Sequence, residues 1–115
     1  RYAIKQHGGM LAKGRMLGIQ FEELFKDNRY LTISKHAIDM ADILTEGFQS
    51  KGYHFYFPAE TNQLFPIFEN AKLEELSKEF AFTPWAKIDE TYTAVRFVTS
   101  FATKRENVEY LLTKI

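Results

Sequence analysis

The sequence predicts a two-layer α/β (α+β) domain, an antiparallel sheet with helices on one face, and three features point to it. Apolar residues Ile33, Ala37, Met40, Ala41, Leu44 and Phe48 recur at helical spacing along a stretch of about twenty residues. After Gly52 the pattern changes from helical to alternating. Tyr92 to Ser100 is rich in β-branched and aromatic residues and reads as a strand. Short helical and extended segments interleaved in this way bury their apolar faces most simply as helices laid on one side of a sheet.

Taken in order, Met10, Gly14, Leu17, Phe21, Leu24 and Phe25 place a first helix from about Met10 to Phe25, with Gly8-Gly9 as a flexible entry. Lys26-Asp27-Asn28 is polar and either turns the chain or bends one long helix. The Ile33 to Phe48 stripe defines the second helix, closed by Gly52 as its C′ residue. Tyr53 to Phe57 and Gln63 to Phe68 read as a hairpin-like pair of strands, and Pro66 places the second at an edge or a bulge. Asn70 is expected to cap a short helix running to Phe80, with Leu73 and Leu76 inward. An extended segment from Phe82 to Lys87 turns at Asp89-Glu90 into the Tyr92 strand. Thr103-Lys104-Arg105-Glu106 matches a capping box, and Val108, Leu111, Leu112 and Ile115 form the inner face of a last helix.

The chain has 115 residues, 45% of them hydrophobic, enough for one compact core but not for two ordinary domains. Fifteen basic and fifteen acidic residues cancel with no long block of either sign, so the electrostatic footprint of a nucleic-acid binder is missing. This charge balance also turns Tyr53, Phe55 and Phe57, on one strand face, into core or interface residues rather than a base-stacking platform. Cysteine is absent, which excludes disulfides and thiolate chemistry and suits a reducing cytosol. No apolar run approaches the roughly 20 residues that span a bilayer, and no signal peptide opens the chain, so the expectation is a cytoplasmic protein without a membrane partner. His7, His36 and His54 lack metal-ligand spacing, and no metal site is expected. The chain opens on Arg1 within what reads as the inside of an element, as expected of part of a longer polypeptide.

Arg96 carries the most chemistry. Alternation puts it on one strand face with Ala94 and Val98, an apolar setting in which an unpaired guanidinium is costly. It is expected either to meet a carboxylate or phosphate through its bidentate fork, or to reach water or a local acid such as Glu90.

Ile4 to Phe21, Thr61-Asn62-Gln63-Leu64-Phe65-Pro66-Ile67, and Val95-Arg96-Phe97-Val98-Thr99-Ser100-Phe101-Ala102-Thr103 resemble, in order and spacing, segments of the threonine aldolase and aromatic amino acid β-eliminating lyase family. The resemblance implies the small C-terminal domain of an enzyme that uses pyridoxal 5′-phosphate on an aspartate-aminotransferase fold. Residues 1–25 would then be the tail of the large domain with the interdomain helix, and 26–115 the small domain. It further implies that Arg96 receives the substrate α-carboxylate. Lys5 matches a lysine that reaches toward a neighbouring subunit's active site, while Lys13 and Arg15 are placed to help hold the cofactor phosphate. No catalytic residue is implied here, because the Schiff-base lysine, ring-stacking group and pyridine-nitrogen acid are expected upstream of residue 1. The implied partners are an amino-acid substrate, the upstream cofactor domain and further copies of the chain in a dimer or tetramer. Retro-aldol cleavage of a β-hydroxy amino acid is the leading expectation; the alternatives are β-elimination from another amino acid and a non-catalytic α/β binding or assembly module.

Overall fold

The computed structural model describes residues 1–115, which divide into two compact units, Arg1–Thr32 and Ile33–Ile115. The first holds helices α1 (Tyr2–Gln6) and α2 (Gly14–Phe25), neither with a buried residue. Helix α2 starts at Gly14 rather than near Met10 because the chain before it is still turning. Gly8 has φ 72°, Lys13 lies in the left-handed region at φ 58°, and the Gly14 N–H donates to the Leu11 carbonyl at 3.0 Å. Asp27 and Asn28, at φ 52° and 57°, break the helix after Phe25. These two residue types adopt left-handed backbone at the least cost after glycine, so Lys26-Asp27-Asn28 is a kink between helices.

Helix α3 (Arg29–Ser50) follows, and the part of it in the second unit buries Ala37, Met40, Ala41, Leu44 and Phe48, the stripe that helical spacing picks out. It ends in a Schellman motif. Gly52 takes φ 84°, its N–H donates to the Gln49 carbonyl, and the Tyr53 N–H donates to the Phe48 carbonyl, both at 3.0 Å.

The sheet comprises β1 (Gln63–Leu64), β2 (Ile67–Glu69), β3 (Thr83–Lys87) and β4 (Tyr92–Val98). All pairings are antiparallel and all use β4: Gln63 pairs with Val98, Ile67 with Ala94, and Thr83 with Arg96. The register of β1 and β2 against β4 runs on without a slip, so they are two halves of one strand interrupted at Phe65-Pro66. Proline has no N–H for a ladder, but the Pro66 carbonyl still accepts from the Val95 N–H at 3.0 Å. Tyr53 to Phe57 lies along the other edge of this strand as an irregular segment instead of the expected strand. One bridge, Phe55 to Pro66, and hydrogen bonds from Tyr56 N–H to Phe65 O and from Ile67 N–H to His54 O hold it there.

Helices α3, α4 (Asn70–Leu76) and α5 (Arg105–Lys114) contribute to one core with Leu64, Phe68, Val95 and Phe97 of the sheet. The expected layering is therefore observed: an α+β domain with a four-stranded antiparallel sheet and helices on one face. Phe48, fully buried, is the centre of the core, its ring 5.6 Å from Phe68, 5.9 Å from Phe97 and 6.0 Å from Phe55. At Gly47 a Cβ would lie 2.3 Å from a Leu112 methyl, so glycine is what allows α5 this close to α3. No helix is long and apolar enough to cross a membrane.

Two expected caps are used differently. The Asn70 side chain reaches across to the β3–β4 turn, donating to Glu90 O at 3.0 Å and accepting from the Thr93 hydroxyl at 2.7 Å, while Glu69 occupies the cap position of α4. Thr103 accepts from the Ser100 N–H in the preceding turn, and Lys104 stands at the cap of α5 without a side-chain bond.

The last turn of α5 is tied down by Glu79, which accepts from the Tyr110 hydroxyl and from Lys114. The Tyr110 hydrogen bond, followed by that from Lys114, holds the Glu79 carboxyl below its ordinary value of 4.5. A depressed folded value means that this tether is in place above pH 4.5 and is lost as pH falls through the folded value. Amide protection factors at the C-terminal end of α5, corrected for intrinsic exchange, are expected to fall as pH drops through the folded value, and to be lower at neutral pH in Glu79→Gln than in the native chain.

Candidate functional site

Strand β4 sorts its residues by alternation. Val95 and Phe97 are buried in the core, whereas Arg96 points to the face without helices, together with Ala94 and Val98. Thr83 is its partner on β3, and the continuous register of β1 and β2 brings Phe65 opposite it on the other side. Arg96 is thus partly buried in the middle of the sheet, unable to retreat to a strand end.

Its guanidinium is poorly satisfied by the protein. Nε is buried with no hydrogen-bond partner, and one terminal nitrogen makes only a long 3.5 Å contact to Gln63 Oε1. Glu90, the local acid that could have paired with it, is held by Lys87 at 2.6 Å. Leaving a buried donor unmade costs about 1–3 kcal/mol, and more when the group is charged. The cation instead lies over the Trp85 ring, 5.7 Å from its centroid. Trp85 in turn contacts Phe65 at 4.9 Å, and Phe57 contacts Phe65 at 5.3 Å.

Phe57 therefore leaves the face expected for it. Tyr53 and Phe55 pack on the core, but without a regular strand the alternation does not hold as far as Phe57, which joins the aromatic group beside Arg96. Sequence reasoning missed Trp85 and Phe65 altogether. The available signal was a lone tryptophan in the extended segment next to the arginine strand, but seeing it required the register.

The other candidates are placed as follows. Lys5 is in α1, Lys13 immediately precedes α2 and Arg15 is in its first turn; all three are exposed in the first unit, whereas Arg96 belongs to the second. Asn62, a turn residue of the Thr61-Asn62-Gln63 stretch, donates to Thr99 O at 2.7 Å. The His36 ring bonds Thr103 O and the His7 ring bonds Ala3 O, both at 2.8 Å, and no group of side chains has the makings of a metal site. A cavity of about 650 Å³ lined by His54, Ile67, Glu69, Lys72 and Tyr92 lies farther along the sheet, and Arg96 does not line it.

The open face of this α+β domain thus carries a partly buried guanidinium with no protein carboxylate on it. Among solved structures, the chain is similar to the C-terminal part of threonine aldolase from Leishmania major. Identity is 37% and the TM-score 0.87 over 98% of this chain, which spans 33% of the length of that one. The resemblance drawn from three segments is thus a likeness of sequence and backbone over essentially the whole chain. No protein-family model and no curated protein matches it.

Proposed function

We propose that this chain is the substrate-carboxylate arm of a pyridoxal-phosphate-dependent lyase of the threonine aldolase type, cleaving a β-hydroxy amino acid between its α- and β-carbons. The observation that carries the reading is Arg96, whose terminal nitrogens make only a long contact to Gln63 and meet no protein carboxylate, in a domain so similar to part of a threonine aldolase. A carboxylate is the acceptor that matches the guanidinium fork, and anchoring it fixes the orientation of the bond to be broken. The cofactor, when bound, supplies an electron sink for the pair released at the α-carbon. Toward that group this chain offers cationic side chains suited to an anionic phosphate, Lys13 and Arg15 at the start of α2, with Lys5 in α1. The lysine that carries the cofactor is assigned to the upstream domain.

The test is product analysis with the longer polypeptide: L-threonine should give acetaldehyde and glycine. Ammonia and a keto acid would establish elimination in place of aldol cleavage.

The α2 face supports an upstream partner. Leu17, Phe21 and Phe25 are 40%, 61% and 63% exposed, far more apolar surface than a helix leaves in water without a use for it. We assign this face to the upstream domain. In the 115-residue chain on its own it is expected to pair with a second copy. Sedimentation should show a dimer that Phe21→Glu with Phe25→Glu converts to monomer; a monomeric native chain removes the assignment.

A further inference from the structure

The structure assigns to Trp85 the role of positioning residue for Arg96: the indole face holds the cation in place of a protein carboxylate, so that its terminal N–H groups stay free for a ligand carboxylate. This inference rests on the reading of Arg96 given above and adds a residue to it.

The argument is one of geometry and hydrogen-bond accounting. A protein carboxylate would hold a guanidinium firmly but would use the very N–H groups that a ligand needs. An aromatic face attracts the cation through its quadrupole and uses no N–H. Arg96 lies over an aromatic ring and meets no protein carboxylate. Its Cζ is 5.7 Å from the Trp85 centroid, its Nε is buried without a partner, and its one side-chain hydrogen bond is the long contact to the neutral Gln63.

Trp85 is itself fixed in place. The β3 register shifts between Pro84 and Ala86, placing Trp85 at an irregularity of the kind that re-aims side chains beside sites. Its ring is braced by Phe65 at 4.9 Å and Phe57 at 6.5 Å. Even so, Trp85 is 48% exposed, more than a tryptophan kept only for core packing would be.

The experiment titrates the longer polypeptide with L-threonine and follows the Arg96 Nε–H resonance, with circular dichroism as the control for folding. Saturable binding is expected, and Arg96→Leu should abolish the response of the neighbouring β3 and β4 amides. Trp85→Leu should raise the apparent dissociation constant at least tenfold, and Trp85→Phe, which keeps a π face, should stay within threefold of the native protein. Trp85→Thr, a good strand former, replaces Trp85→Leu if the leucine variant loses its circular dichroism signal. Native affinity in Trp85→Leu or Trp85→Thr overturns the role of Trp85 and leaves Arg96 standing, as does a phenylalanine variant as weak as the leucine one, which would indicate packing alone. Absence of saturable binding in the native protein, or an amide response that survives Arg96→Leu, overturns the reading of Arg96 itself.

Discussion

Phe48→Ala is expected to remove most of the stability of the 33–115 unit. Phe48 is fully buried, and its ring is in contact with Tyr53, Phe55, Phe68 and Phe97, which come from the irregular edge segment that follows α3, from β2 and from β4. Four aromatic neighbours on three segments cannot all close the space left by a phenyl ring. The cost should therefore fall in the range of about 3–5 kcal/mol found for buried phenylalanine truncations. Against a typical total of about 5–15 kcal/mol, this leaves a domain at the edge of folding. Urea unfolding followed by circular dichroism should show the midpoint moving sharply downward with the slope preserved. A loss below about 1 kcal/mol would mean that the core is not organised around this ring.

In the longer polypeptide, Arg96→Lys is expected to raise the KM for L-threonine at least tenfold, about 1.4 kcal/mol of lost binding. Lysine keeps the charge, so long-range attraction survives. It lacks the planar fork, so the two parallel hydrogen bonds to one carboxylate do not. It also gives up the flat cation that lies 5.7 Å over Trp85. Steady-state kinetics with threonine as the varied substrate provides the measurement, and an unchanged KM would take Arg96 out of the site.

The parts of this fold legible in the sequence are those governed by local periodicity. The buried stripe of α3 and its Gly52 stop depend on residues a few positions apart, and both are present. The alternation of β4 was equally legible, because Val95 and Phe97 need only a core on one side. Expectations failed where a local signal had a non-local competitor. Asn70 and Thr103 look like helix caps, but the strand turn at Glu90 and the Ser100 N–H claim their side chains. Tyr53 to Phe57 has strand composition, yet only Phe55 forms a bridge, opposite a proline that offers no N–H for a ladder. The site divides in the same way. Arg96 was legible because a permanent cation in an apolar alternating run is anomalous by itself, whereas Trp85 acquires meaning only through the β3–β4 register and the shift between Pro84 and Ala86.

The most direct test that Arg96 receives a carboxylate compares L-threonine with its carboxamide, a neutral group of nearly the same shape, in the native longer polypeptide and in Arg96→Leu. The quantity to measure is the ratio of their dissociation constants, because a general loss of binding or stability cancels in it. The native protein should favour the acid at least tenfold, and Arg96→Leu should reduce that preference to within about twofold, the loss of a charge-assisted bidentate contact. A preference for the acid that survives intact in Arg96→Leu would contradict the account and place the carboxylate elsewhere.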